Sequence, residues 1–337
     1  MRERVLCFDM MRCVAAVAVI AIHVLAPYRH ELNSIPFDQW LTAITVNGIS
    51  RWAVPVFILI SGALMLSDTR PFDGKYYVKR RLGKVLIPFI LWSLFYAYFS
   101  GWTAQGFDAQ VSQTVLGESL HHATYYHLGF FYYFIPLYFV IPLFQWALRQ
   151  YGEPALYAYV GVWLVTSLLF LLRIDGFWSN ELWLFSGYLP LGYLLFKKVP
   201  LQRKPVAISV LLGIAALVLT VTMVVQLSVA NGEYSVGRWF SYKTLNVILA
   251  ASMVFMLCRY FGEGLSQGKQ RVVSLVSQYS LGIYILHPIF LWPMKEYGWH
   301  QGHPVWVIPV WIVISGAGAL GLSWCFAQSK WTRWMLP

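Results

Sequence analysis

Ten stretches of the chain are long, apolar and nearly free of charge: 11–27, 47–66, 85–101, 127–148, 155–172, 181–196, 206–229, 243–260, 277–295 and 305–327. A bilayer core of about 30 Å is crossed by about 20 helical residues, so most of these runs have the length of a membrane span, with 181–196 and 243–260 the shortest in uncharged length. Each is apolar on all faces, as a helix surrounded by lipid and other helices should be. Within lipid every backbone N–H and C=O has to be satisfied by the segment itself, which leaves the helix as the state open to such a run. The pattern predicts an all-α integral membrane protein, a bundle of about ten transmembrane helices forming one domain over 1–337. The longest connections are 28–46 and 102–126 on one side and 67–84 on the other. Prolines inside the runs (Pro55, Pro88, Pro136, Pro142, Pro190, Pro288) are tolerated where neighbouring helices cover the carbonyls they free.

Composition narrows this further. Hydrophobic residues make up 58% of the chain and charged ones only 12%, against about 25% charged in an ordinary soluble domain. The excess of 25 Lys and Arg over 14 Asp and Glu points to nucleic acid, an anionic surface or membrane topology. With ten spans both termini share a side, and taking that side as cytoplasmic places 19 of the 25 cations there, Arg2 and Arg4 among them. That asymmetry is what the positive-inside rule requires. Most of the net charge is therefore an orientation signal, and no nucleic-acid partner is expected. Cys7, Cys13, Cys258 and Cys325 lie at or within apolar runs without metal-ligand spacing, so neither a disulfide framework nor a metal site is expected. The first run lacks a small-residue cleavage site, so no cleavable signal is expected either.

Ionisable groups within the bilayer are costly and mark candidate functional sites. In the first run Arg12 precedes His23 by eleven residues; at about 100° per residue the two differ by roughly 20° in azimuth and by about 16 Å in height. One residue thus faces the cytoplasmic end and the other the outer end of a common helix face. Asp9, three residues before Arg12, is placed to hold its guanidinium. An interfacial anchor and a structural histidine would also account for the pair. Asn47 and Arg51 share a face at the start of the second run, where an arginine is also able to snorkel. The cluster Lys79, Arg80, Arg81 and Lys84 stands directly before the third run, a setting that suits phosphate groups and equally suits topology. His127 opens the fourth run, near the outer level where His23 is expected. Tyr284 and His287, the latter followed by the helix-loosening Pro288, lie in the ninth.

Asp9-x-x-Arg12 followed by ten residues and then His23, Val54-Pro55-Val56-Phe57 leading to Ile60-Ser61-Gly62, the basic loop and the stretch from Ser280 to Pro288 together resemble the membrane-bound acyltransferase-3 family. The resemblance runs in order from residue 6 to about 327, and the compact form is most similar to the enterobacterial common antigen O-acetyltransferase group. It implies a multi-pass protein of the bacterial inner membrane that moves an acetyl group from cytoplasmic acetyl-CoA to a hydroxyl of an envelope glycan or its undecaprenyl-linked precursor. By position, His23 matches the family's essential histidine and Arg12 its basic partner. The family's Arg-x-x-Arg element reads Arg81-Leu82-Gly83-Lys84, in which lysine keeps the charge but loses the bidentate fork. Acyl-donor binding is accordingly expected at Arg12, Lys79, Arg80, Arg81 and Lys84, catalysis at His23 with Arg12 and Asp9, and substrate binding at Arg51, His127, Tyr284 and His287.

Transfer from a thioester to a hydroxyl needs a base for the hydroxyl proton and stabilisation of the developing negative charge. Neutral histidine suits the first task. Direct attack is expected ahead of an acyl-histidine intermediate, with acceptor specificity in the outer loops, including Trp102, His121, His122, Arg173, Trp178, Arg238 and Trp239. Two other readings stay open: transfer of another acyl group such as succinyl, and a transporter or flippase of a lipid-linked sugar, whose intramembrane His and Arg would form a polar pathway. The absence of a visible internal repeat weighs against the transporter.

Overall fold

The first apolar run forms α1 (Leu6–Val24). In the computed structural model, which describes residues 5–336, it is the central element; Arg2 and Arg4 lie outside the described residues. Its alanines Ala15, Ala16, Ala18 and Ala21 are buried, and small side chains of this kind let neighbouring backbones approach where lipid supplies no hydrophobic drive.

Where a connection was expected at 28–46, a 3-10 turn (Ala26–His30) leads to a helix, α2 (Phe37–Ser50), and then to α3 (Ala53–Leu66). Trp40, Ala43, Ile44 and Asn47 are all buried and follow the i, i+3, i+4, i+7 spacing of one helical face. That period was present in the sequence, but the stretch was too short to qualify as a span. The two helices read as one rod from Phe37 to Leu66, so Arg51 stands at their junction rather than at the start of a helix.

The connection 67–84 is also structured. It holds α4 (Gly74–Tyr77) and five residues of π-helix (Val78–Leu82), continuous with α5 (Gly83–Phe99). The loop 102–126 carries a two-stranded hairpin of β1 (Trp102–Thr103) and β2 (Gly106–Phe107), followed by α6 (Ala109–Gly117). Next come α7 (Gly129–Tyr151) and α8 (Glu153–Leu171). The expected sixth span divides into α9 (Glu181–Ser186) and α10 (Tyr188–Lys197). The break falls at Gly187, packed so tightly on the Trp163 indole that a Cβ there would lie 2.0 Å from the ring. Neither piece has the length to cross a bilayer.

The remaining elements are α11 (Arg203–Asn231), α12 (Leu245–Gly262), α13 (Gln267–Gln278), α14 (Ser280–Glu296) and α15 (Pro304–Gln328). The ninth run is broken near its start by a bend of 70° between α13 and α14. Among the described residues eight helices are long and apolar enough to span, or nine with the bent pair counted as one, in place of the ten expected. The chain is a multi-pass membrane protein, helical apart from the short hairpin of β1 and β2. Burial separates its layers: the spanning window of α1 is 67% buried, against 22% for α11 and 17% for α15, which face outward.

Two contacts set the framework around α1. Between α3 and α10 the backbones touch, Gly62 against Leu189 and Gly192 against Leu59; a Cβ on either glycine would sit 2.1 Å from the opposite carbonyl oxygen. Asp9 accepts hydrogen bonds from Ser277 Oγ at 2.6 Å and Ser274 Oγ at 3.2 Å, tying the start of α1 to α13.

Candidate active site

The helix α14 contains its own tautomer device. Pro288 has no N–H, so the carbonyl of Tyr284, four residues earlier, loses its ordinary helical donor. His287 fills the gap, with Nδ1 2.7 Å from that oxygen. A carbonyl only accepts, so Nδ1 carries the proton and Nε2 of neutral His287 is a lone-pair acceptor. His23 Nδ1 lies 2.8 Å from this Nε2, and the two rings are nearly parallel, 10° apart. His23 therefore donates from Nδ1, and its Nε2 is left as a lone pair with no hydrogen-bond partner among the described residues. The chain of bonds from Tyr284 C=O through His287 to His23 fixes which nitrogen of His23 is basic.

That nitrogen belongs to a ring lining a cavity of about 380 Å³, shared with Val54, Tyr126, His127, Tyr133, Tyr242 and Tyr284. His127 is buried beneath it, with Nε2 donating to Ile285 O at 3.1 Å. The Tyr284 hydroxyl donates to the His127 carbonyl at 2.5 Å, locking the two elements together. Tyr126 packs its ring 4.8 Å from that of His23, and the Lys295 ammonium lies over the Tyr126 ring, 3.8 Å from its centroid.

A second cavity, of about 330 Å³, opens toward the other end of α1. Arg12, Arg80, Arg81 and Lys84 line it, with Ser61, Ser280 and an apolar wall that includes Leu64, Val85, Phe134 and Tyr138. Arg12 is held by Asp9 at 3.4 Å, and Arg81 lies 3.8 Å from Asp68. The π-helical turn over Val78–Leu82 presents the basic cluster; such turns recur at functional sites. The two cavities share two wall residues, Phe130 and Tyr284.

The structure thus gathers His23, His127, Tyr284 and His287 at one end and Arg12, Arg80, Arg81 and Lys84 at the other. Asp9 sits at the Arg12 end and holds that side chain rather than approaching His23. Lys79 is exposed and does not line the basic cavity. Arg51 does not line the cavity of His23 but stands behind its wall, its guanidinium 4.9 Å from the Phe240 ring centroid and 5.7 Å from that of the lining residue Tyr242. His287, expected to touch substrate, is wholly buried and spends both ring nitrogens on Tyr284 and His23. Sequence reasoning missed Tyr126, Arg29 and Lys295; only their position beside apolar runs marked them.

The sequence profile of the acyltransferase domain family, acyltransferase-3, matches residues 5–328. Proteins of Staphylococcus aureus strains MSSA476, MW2 and N315, each described as a probable poly-beta-1,6-N-acetyl-D-glucosamine export protein, are 22% identical over 300 residues. These alignments cover 83% of this chain and 81% of each relative. No solved structure matches the chain.

Proposed function

Because the chain belongs to the acyltransferase-3 family, we propose that it is a membrane-embedded O-acetyltransferase of the bacterial inner membrane, taking acetyl from cytoplasmic acetyl-CoA and giving it to a hydroxyl of an envelope polysaccharide or its lipid-linked precursor. The family match over 5–328 supports one acyltransferase unit along the chain. The observation that carries the reading is the unpartnered Nε2 of His23, fixed as a base by His287 and facing a cavity.

In this mechanism His23 Nε2 takes the proton of the acceptor hydroxyl as its oxygen attacks the thioester carbonyl. The tetrahedral adduct collapses by breaking the C–S bond, and the leaving thiolate takes the proton back from Nε2. The imidazolium formed in between is stabilised through the His287 relay and the Tyr284 carbonyl dipole. Arg12, Arg80, Arg81 and Lys84 offer charge to the phosphates of the nucleotide end, and the apolar wall between them and Phe130 suits a pantetheine arm. The concentration of Lys and Arg at this end supports placing it in the cytoplasm.

The relatives' description as export proteins favours a second reading, in which the chain moves a glycan across the membrane. Mass spectrometry of envelope glycans separates the two. Wild type should show an acetyl group missing from both a deletion strain and His23→Ala, with the variant still inserted at wild-type level. General-base catalysis contributes about 10²–10⁴-fold, so residual transfer should fall in that proportion. Unacetylated glycan accumulating inside the cell with His23→Ala would establish export instead, and a heavier substituent would replace acetyl with another acyl group such as succinyl.

A further inference from the structure

Resting on that reading of the His23 end, we propose that Arg29, Arg51 and Lys295 form an anion site beside His23, which binds the phosphate or diphosphate joining a glycan acceptor to its lipid carrier. Arg29 follows α1 in the 3-10 turn, Arg51 stands at the α2–α3 junction, and Lys295 is in the last turn of α14. Three separate segments thus bring a cation to one place. Arg29 donates to the Ile22 carbonyl, Lys295 lies 3.8 Å from the Tyr126 ring centroid and Arg51 5.7 Å from that of Tyr242, and Ile22, Tyr126 and Tyr242 all line the cavity of His23.

Like charges gathered in partly buried surroundings need a compensating anion. None of the three has a carboxylate within salt-bridge distance among the described residues. Of the acids of this end, Glu181, which lines the cavity of His23, pairs with Lys243 at 2.8 Å, Glu31 lies 3.9 Å from His300, and Glu296, next in sequence to Lys295, accepts from the Ala104 amide at 3.4 Å. Arg29 uses one donor on Ile22 O at 2.6 Å, at the C-terminal end of α1. Among the described residues its Nε and that of Arg51 are buried without hydrogen-bond partners, as is Asn47 Oδ1 one turn before Arg51. Around these groups Tyr126, Tyr242 and Phe240 present ring faces that hold cations without neutralising them.

Three cations with no carboxylate at salt-bridge distance among the described residues match a polyvalent phosphate better than a single carboxylate, and two of them are guanidiniums suited to bidentate phosphate contact. Tyr126 and Tyr242 line the cavity of His23 as well, so an anion held here would keep its attached sugar beside Nε2. This assigns the acceptor's lipid–sugar junction, rather than the sugar alone, as a recognised element.

The test is binding of farnesyl diphosphate to the purified full chain in detergent, with inorganic diphosphate and phosphatidylglycerol as competitors. Farnesyl diphosphate should bind, Arg29→Gln and Arg51→Gln should each weaken it by at least about 10-fold, and Arg203→Gln, an exposed cation at the far end, should leave it unchanged. Arg29→Lys, which keeps the charge, should weaken it less than Arg29→Gln, and raising salt should weaken it in the wild type regardless of how the variants fold. Failure of the wild type to bind, or equal binding by wild type and the well-folded Gln variants, overturns the site. Competition by phosphatidylglycerol as strong as by farnesyl diphosphate overturns the acceptor assignment in favour of a lipid headgroup. Loss of this binding alongside intact acetyl transfer leaves the proposed function standing, whereas binding without any acyl transfer removes that function and keeps the site.

Discussion

At the scale of single residues, the decisive feature is how His23 acquires a definite tautomer. A lone histidine in a helix has two equivalent neutral forms, and only one presents a lone pair to the cavity. His287 removes the ambiguity because Pro288 leaves the Tyr284 carbonyl in need of a donor. The effect of His287 substitutions should therefore depend on hydrogen-bonding capacity more than on size. His287→Gln, whose amide oxygen accepts from His23 Nδ1, should retain part of the activity. His287→Phe fills the space but accepts nothing, and the misdirected base should cost about 10²-fold in kcat with little change in KM for acetyl-CoA. A loss confined to KM would show that His287 serves donor binding. Much of this site was legible beforehand: the spacing of Arg12 and His23 on one face, the common level of His23 and His127, and His287 as a further histidine within a span came from the sequence. The pairing of His23 with His287 did not, because it joins residues 264 positions apart and depends on how α14 packs on α1.

At the scale of elements, composition located the spans but not their interruptions. Charge-free length found the long helices, while it missed α2, whose buried face is one side of only fourteen residues, and overlooked the division at Gly187. The causes differ: α2 was too short in uncharged length to stand out, whereas a helix broken at a tertiary contact such as that of Gly187 with Trp163 looks the same in composition as one that runs through. The same contacts make specific demands. Gly62 and Gly192 let α3 and α10 meet backbone to backbone, so Gly62→Leu has no room, its Cβ already 2.1 Å from the Leu189 carbonyl. Overpacking of this kind costs about 1–3 kcal/mol or more. The variant should unfold at lower temperature in detergent, while Gly161→Leu, where a Cβ meets open space, should not. Equal melting of the two variants would contradict the close crossing.

At the scale of the whole molecule, α1 is a central axis whose two ends carry different chemistry: Arg12 faces one cavity and His23 the other, with Phe130 and Tyr284 as their common wall. A donor whose nucleotide stays at the basic end has to bring its acyl group past that wall to reach His23. The position of Tyr284 is fixed by its bond to the His127 carbonyl, whereas Phe130 is held only by packing, with its ring 4.5 Å from that of Phe134 and 5.6 Å from that of Tyr284. Phe130 is therefore the residue whose size should set the width of the passage. Phe130→Trp should leave binding of CoA to the basic cavity unchanged and slow acetyl transfer by about 10-fold or more, since displacing the reacting atoms by 1 Å costs on the order of 10²-fold. Phe130→Ala should restore passage and admit water to the thioester, raising acetyl-CoA hydrolysis in the absence of an acceptor. Arg80→Gln with Arg81→Gln should act on the opposite step, weakening CoA binding while transfer from saturating donor stays near wild type. If both sets of variants changed binding and transfer in the same proportion, donor and base would share a single chamber and the passage through Phe130 would be excluded.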